Sequence, residues 1–186
     1  MNELNKMLSG EWYDPSDEQL SSMRSRAREL LYQYNHVAGE NEVTKRELLG
    51  TLLGTMGNNT SIHANFYCDY GCHIHVGANF FANYNCVILD CAEVRFGDDC
   101  MLGPQVGIYT ATHPLDPTER VSGIEAAKPI IIGNKCWIGG HATINPGVTL
   151  GDNVVVASGS VVTKSFGDNV VIGGNPARVL RELECG

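Results

Sequence analysis

Bulky apolar residues recur at every sixth position over the second half of the chain. They are Phe96, Leu102 and Ile108, and then Ile132, Ile138, Ile144, Leu150, Val156 and Val162. An amphipathic helix repeats its apolar positions about every 3.6 residues and a half-buried strand about every two. A period of six is instead typical of a parallel β-helix, in which short strands stack on the flat faces of a prism. We therefore predict a mainly β fold built as such a prism.

The residues between these positions support the prediction. The fourth residue after each apolar position is small or medium-sized, as the limited width of a coil requires: Cys100, Val106, Cys136, Ala142, Val148, Val154 and Ser160. Pairs such as Gly133-Asn134 and Gly151-Asp152 could also close hairpins between antiparallel strands. Hairpins do not require a fixed period, so the regular spacing favours the parallel β-helix.

The first third of the chain lacks the six-residue period and is predicted to be helical. Ser16 and Gln19 form a possible capping box ahead of apolar residues at helical spacing, and this helix is expected to end near Gly39. Thr44 and Glu47 form a second possible capping box ahead of another amphipathic segment. Two short helices are therefore expected to precede the prism and to pack on its first coils or on a neighbouring subunit.

These patterns divide the chain into an N-terminal helical segment, 1–58, and a β-helix domain, 59–186, which ends in a short tail. The period fails between Ile108 and Ile130, where residues 109–129 carry prolines and charges but no coil pattern. We expect this stretch to form a loop extruded from the prism. Long loops on rigid scaffolds are common places for binding and catalytic residues.

The composition narrows the possible functions. The chain has 186 residues, a net charge of −8 at pH 7 and a pI near 5.1, so no nucleic-acid partner is expected. No segment reaches the roughly 20 apolar residues of a membrane span, and the N-terminus does not resemble a signal peptide. We therefore expect a cytoplasmic protein with no membrane partner. The seven cysteines are an odd number, which argues against a disulfide framework.

One cluster contains side chains that often bind metals. Cys68, Cys72, His73 and His75 lie within eight residues, but their spacing matches no common zinc signature and no second ligand pair follows. No metal is expected.

Several motifs together resemble one known family over nearly the whole chain: the maltose and galactoside O-acetyltransferase branch of the hexapeptide-repeat acyltransferases, whose fold is a left-handed parallel β-helix. The Thr-His-Pro loop and the Phe-Phe-Ala-Asn segment are the most specific, and they are more similar to the maltose enzymes. The matching segments are Tyr32–His36, Asn79–Tyr84, Thr110–Pro117, Trp137–Gly140, Ile144–Val148 and Gly173–Arg178.

This resemblance implies transfer of an acetyl group from acetyl-CoA to a hydroxyl, the 6-hydroxyl of maltose, glucose or a related glycoside. The transfer is expected to be direct, within a ternary complex. His113 is the expected general base, because a neutral imidazole can accept the hydroxyl proton near pH 7. Asn83 is expected beside the reacting centre, and the backbone N–H of Gly140 as a second oxyanion donor.

The resemblance also suggests which residues bind the acceptor. Asp69 and Asn83 suit the hydroxyls of a sugar, Asp14 is a further candidate, and Glu125 could either orient His113 or contact the acceptor. The galactoside enzymes carry an acidic pair where this chain has Asp90-Cys91, so a sugar contact there is in doubt. The Cys91 thiol is an alternative, covalent nucleophile.

For the donor, coenzyme A needs local positive charge on an acidic protein. Basic residues at positions that match the family are expected to bind the phosphates. Small residues are expected along the pantetheine arm, and the turn that begins at Trp137 is expected to contact the donor. The expected residues are Lys164, Arg178, Arg181, Ser158, Thr163, Trp137 and Gly140. A homotrimer is implied, with each site between two prisms, so that His113 and Asn83 come from different subunits.

Two other functions remain compatible with a β-helix. One is a metal-dependent hydratase of the γ-carbonic anhydrase kind, which needs three histidine ligands; the candidates are His63, His73, His75, His113 and His141. The other is a non-catalytic scaffold, in which His113 and Asn83 would have no role.

Overall fold

The N-terminal part of the chain is helical, as predicted, but its helices begin differently. In the computed structural model, which describes residues 1–37, 39 and 41–184, the helices are α1 (Glu3–Ser9), α2 (Glu18–Tyr32) and α3 (Glu42–Leu52), and α2 continues into a π-helical turn (Gln33–Val37). The sequence pattern missed α1, because seven residues are too few to show a helical period.

The predicted capping residues Ser16 and Thr44 are wrong. The side chain of Asp17 caps α2 by accepting hydrogen bonds from the N–H groups of its first turn, and that of Asn41 caps α3 in the same way. Aspartate and asparagine are at least as good as serine and threonine at this position, so neighbouring candidates could not be separated by residue type alone.

The rest of the chain forms a parallel β-helix with three faces, which confirms the predicted fold class. The strands of the first face are Ser61–Ile62, Phe81–Ala82, Met101–Leu102, Trp137–Ile138, Val155–Val156 and Val170–Gly174, and the last of them pairs antiparallel with Ala177–Glu182. The second face contains Tyr67–Cys68, Val87–Leu89, Gly107–Tyr109, Thr143–Ile144 and Val161–Val162. The third contains Thr55–Met56, Ile74–Val76, Val94–Phe96, Ile130–Ile132 and Thr149–Leu150.

The six-residue period places one aliphatic side chain per strand inside the prism. Ile138, Ile144 and Leu150 come from the three faces of one coil, and each is at most 1% exposed. Burial of each such side chain stabilises the fold by roughly 1.5–3 kcal/mol. The prism is therefore held together by stacked apolar layers, and the six cysteines in the described part of the chain are free thiols; Cys185 lies outside the described residues.

The early coils are longer than the later ones. Ile62 pairs with Ala82, 20 positions later, whereas Ile138 pairs with Val156, 18 positions later. The two additional residues lie between the second and third faces. The same two additional residues separate Ile88 from Phe96 in the next coil, and they enlarge this corner of the prism.

We name the corners by the faces that they join. The first corner joins the first face to the second, and the second corner joins the second face to the third. The predicted loop leaves the second corner. It is an antiparallel ribbon of Ala111–Thr112 and Ala126–Ala127, with the short helix α4 (Pro117–Val121) at its tip. None of the helices described in the structure is long and apolar enough to span a membrane.

Candidate active site

A cavity of about 510 Å³ lies at the second corner, between the base of the extruded ribbon and helix α2. The enlarged corners of the first two coils form its floor, and the chain ahead of α2 closes one side. Its polar lining includes Asp69, His113, Glu125, Arg24 and Arg28. The structure thus brings together three of the residues predicted from the sequence and adds two arginines.

His113 is held in one tautomer by a backbone contact. Its Nδ1 lies 3.1 Å from the carbonyl oxygen of Ile124. Because a carbonyl can only accept, Nδ1 carries the hydrogen, so in the neutral imidazole Nε2 has the lone pair. The side chain is 48% exposed, so a ligand in the cavity can reach Nε2. His113 can therefore accept a proton at Nε2.

Glu125 lies beside His113 and is itself anchored. Its Oε1 is 3.8 Å from Nε2 of His113, and its Oε2 accepts a hydrogen bond of 2.7 Å from the hydroxyl of Tyr13. The backbones of Tyr13 and Glu125 also form an antiparallel bridge. Tyr13 is buried, and burial is the main reason that its pKa is raised. No pattern in the sequence pointed to Tyr13, because its partner is 112 positions away.

Asp69 sits on a corner that Asp90 holds in shape. The fully buried carboxylate of Asp90 accepts hydrogen bonds from the N–H groups of Asp69, Tyr70 and His73. Burial raises the pKa of Asp90 to about 6. Asp90 therefore supports the turn that carries Asp69. The resemblance to the galactoside enzymes had left a sugar contact at Asp90 in doubt.

The carboxylate of Asp69 is in a mixed electrostatic environment. Burial is the main cause of its raised pKa, and the hydrogen bond from Cys91 and the charges of Arg24 and Arg28 oppose that rise. The thiol of Cys91 donates to Oδ2 of Asp69 at 3.5 Å, and burial raises the pKa of this thiol well above its usual range. A protonated thiol is a poor nucleophile, so burial and the contact with the carboxylate of Asp69 disfavour Cys91 as a covalent catalyst.

Arg24 and Arg28 were missed by the sequence reasoning. Arg24 donates hydrogen bonds to the hydroxyl of Tyr70 and to the backbone carbonyl of Pro15. The signal that could have found the pair is their spacing of four residues on a predicted helix, which places both on one face.

Asp14 lies near the cavity but is not among its lining residues, which include the next two residues, Pro15 and Ser16. Its Oδ1 accepts hydrogen bonds from the N–H and the hydroxyl of Ser16, which lower its pKa. Asp14 thus shapes the turn that borders the cavity.

Asn83 and His113 lie at different corners of the prism. Asn83 is in the first corner, immediately after the strand Phe81–Ala82, and its Oδ1 accepts from the N–H of Tyr84. Gly140 and Ser158 occupy the same corner in later coils, and the N–H of Gly159 donates to the carbonyl of Gly140. One chain therefore does not bring Asn83 to the His113 cavity.

The residues expected to contact coenzyme A lie toward the C-terminal end of the prism. Trp137 and Ser158 are exposed on or beside the first face, and Gly159 leaves open space where a side chain would lie. The exposed cations there suit phosphate groups, and the small residues leave room for a slender chain. The remaining predicted residues, all exposed, are Thr163, Lys164, Arg178 and Arg181.

A metal centre is not evident in the described residues, where no three His, Cys, Asp or Glu side chains converge. In the Cys68–His75 cluster, the Nδ1 of His73 bonds instead to the backbone carbonyl of Asp90 at 2.7 Å. The five histidines considered for a hydratase likewise supply no set of three ligands in this part of the chain.

Comparison with known proteins identifies the family. The maltose acetyltransferase hexapeptide capping motif matches residues 6–57, and the hexapeptide repeat of succinyl-transferase matches residues 129–164. The galactoside O-acetyltransferase of Escherichia coli K12 is 41% identical over 96% of this chain and 88% of its own length.

Solved structures are similarly close. A maltose O-acetyltransferase from Clostridium difficile 630 superimposes with a TM-score of 0.97 and 46% identity, covering 99% of this chain and 98% of its own. A galactoside acetyltransferase in complex with coenzyme A gives a TM-score of 0.96 and 38% identity, with 99% and 92% covered. The chain therefore belongs to the maltose and galactoside O-acetyltransferase branch of the hexapeptide-repeat acetyltransferases, and it is an acetyl-CoA-dependent acetyltransferase of that type.

Proposed function

We propose that the protein transfers the acetyl group of acetyl-CoA to the 6-hydroxyl of maltose, glucose or a related glycoside, with His113 as general base. The observation that carries the proposal is the contact between Nδ1 of His113 and the carbonyl oxygen of Ile124. The Nδ1–H of His113 is committed to this carbonyl, so the free Nε2 is directed at the cavity that Asp69 and Glu125 also line. The names of the similar proteins support a sugar acceptor.

Acetyl-CoA supplies the acyl group as a thioester. The acceptor hydroxyl gives its proton to Nε2 of His113 while its oxygen attacks the thioester carbonyl. The bond between the carbonyl carbon and sulfur then breaks, and His113 returns the proton to the departing sulfur. Because the acceptor oxygen itself attacks the thioester, no acyl-enzyme forms. Glu125 stabilises the transient imidazolium, because its carboxylate lies 3.8 Å from Nε2. The raised pKa of Cys91 supports this direct route over a covalent one.

Asn83 and the N–H of Gly140 are proposed to stabilise the negative charge that develops on the carbonyl oxygen. These groups lie at the first corner, whereas His113 extends from the second. A homotrimer in which the second corner of one prism meets the first corner of the next would bring them together. The shared site is therefore part of the proposal.

The donor is proposed to lie along the first corner and the C-terminal coils, where Trp137, Ser158 and Thr163 would contact its pantetheine arm. Lys164, Arg178 and Arg181 would bind its phosphates. Local cations are needed because the chain as a whole carries a net charge of −8. Asp69 and Glu125 would accept hydrogen bonds from the acceptor hydroxyls.

The test is acetyl transfer to a panel of mono- and disaccharides, with release of free coenzyme A as the readout. We expect turnover with glucose or maltose, and a loss of about 100- to 10,000-fold in kcat for His113→Ala, the usual contribution of a general base. The dissociation constant for coenzyme A should not change. His75→Gln, on the third face, is the matched control and should keep wild-type turnover. Retained turnover in His113→Ala would contradict the proposal.

A further inference from the structure

A second cavity, of about 370 Å³, adjoins the catalytic one. Arg28 lines both cavities, so they meet at its side chain. Beyond Arg28 the lining changes from charged groups to aromatic rings, contributed by Tyr32, His36 and Tyr67. We call these three residues the aromatic shelf. The site described above makes no use of them.

The two cavities together form a groove with helix α2 on one side and the strand Tyr67–Cys68 on the other. Arg24, Arg28 and Tyr32 are four residues apart on α2, so they lie along one face of the helix. On the opposite wall, Tyr67 and Asp69 are two residues apart, at and just after the strand Tyr67–Cys68, so their side chains point to the same side. One such step moves about 6 Å along the helix and about 6–7 Å along the strand. The two steps are therefore of similar length, and both lead from residues that line the catalytic cavity to residues of the shelf.

The shelf is exposed but well anchored. Tyr32 is 58% exposed and Tyr67 is 47% exposed, so both rings are accessible to a ligand. The rings of Tyr32 and His36 are stacked, with centroids 5.1 Å apart and an interplanar angle of 22°. The side chain of Asn35 fixes this end of the helix by two hydrogen bonds to the backbone of Phe66, of 2.8 Å and 3.2 Å. These contacts thus hold the end of the helix that carries Tyr32 and His36.

We propose that the aromatic shelf binds the second ring of a two-ring acceptor whose first ring presents its hydroxyl to His113. The inference rests on the proposed sugar acetyltransferase function. The apolar face of a pyranose or an aryl group stacks on aromatic rings, and the guanidinium of Arg28 at the junction can donate to the oxygen that links the two rings. The shelf therefore distinguishes disaccharides and aryl glycosides from single-ring sugars.

The test compares kcat/KM for maltose and for methyl glucoside in the full-length protein. In the double variant Tyr32→Ala/Tyr67→Ala we expect the maltose value to fall about tenfold, while the methyl glucoside value stays within about twofold of wild type. The variant Tyr32→Phe/Tyr67→Phe keeps the rings and should retain the maltose value. Val43→Ala, which removes an exposed apolar side chain on α3, is the control for a general surface effect.

The outcomes separate this inference from the function on which it rests. If the wild type acetylates neither sugar, the proposed function fails. If it acetylates both and the double alanine variant loses activity equally toward both, or toward neither, the shelf does not bind a second ring. Sedimentation of each variant gives a further check, because dissociation of the assembly together with an equal loss toward both sugars would show that the rings pack on a neighbouring subunit.

Discussion

His113 depends on a residue that the sequence does not connect to it. Its Nδ1–H needs the carbonyl of Ile124, 11 positions later, and the pairing of Thr112 with Ala126 in the extruded ribbon brings the two together. A histidine in a loop can adopt either tautomer in solution. The ribbon therefore favours one tautomer of this loop residue, the tautomer that the proposed general base requires.

His73 gives a prediction at the same scale. Burial lowers its pKa, but hydrogen bonds with Cys72 and with the carbonyl of Asp90, together with the charge of Asp90, outweigh burial and raise the pKa to about 8 from 6.5. Because the folded protein binds this proton more tightly, the stabilisation is complete below pH 6.5 and is lost as the pH rises through 8. The free energy of unfolding should fall by about 2 kcal/mol across this window.

Urea unfolding at pH 6 and pH 8.5 checks this prediction in the wild type and in His73→Gln, which should lose the pH-dependent fall. His75→Gln is the control, because the pKa of His75 is lowered and its removal should leave the fall in place. An equal fall in His73→Gln and the wild type would contradict the assignment.

Residue type and motif predicted His113, Asp69 and Glu125 as neighbours of one site, but not the contacts that hold them. Tyr13 supports Glu125 from a distant part of the chain, and Asp90 supports Asp69 through backbone N–H groups, which no side-chain motif records. Such partners are set by how the coils stack, so they could only be found in the folded structure.

Among the elements, the strands were the most predictable, because one inward side chain per strand is required to fill the prism and leaves a direct mark on the sequence. The helix starts were less predictable, since Ser16 stands next to the actual cap Asp17 before α2, and Thr44 lies in the first turn of α3, after its cap Asn41. The extruded ribbon was expected only as a loop, because pairing of Ala111–Thr112 with Ala126–Ala127 leaves no apolar period.

The period can be tested on a single strand. Leu150 is 1% exposed, and its neighbour Thr149 faces outward. We expect Leu150→Ala to lower the free energy of unfolding by about 2–5 kcal/mol, because it leaves a cavity in the stacked core. Thr149→Ala should change it by no more than about 0.5 kcal/mol. Urea unfolding of both variants at one protein concentration measures the difference, and equal values would contradict the inward register.

At the scale of the whole molecule, the residues of the proposed site are divided between two corners of the prism. His113, Asp69 and Glu125 gather at the second corner, while Asn83, Gly140 and Ser158 follow one another along the first. A pattern read along one chain can identify both sets, but it cannot place them together. Because the chain belongs to an acetyltransferase family, the two sets are better explained as halves of one acetyltransferase site than as parts of a hydratase or of a non-catalytic scaffold.

The central claim is that acetyl transfer uses His113 of one chain and Asn83 of another. Co-expression of His113→Ala with Asn83→Ala, followed by measurement of coenzyme A release with maltose, tests it most directly. Each variant alone should be nearly inactive. Random mixed trimers should recover about one quarter of the wild-type activity, because each half of a shared site is intact in about half of the protomers. Mixed trimers with no more activity than the separate variants would contradict the shared site.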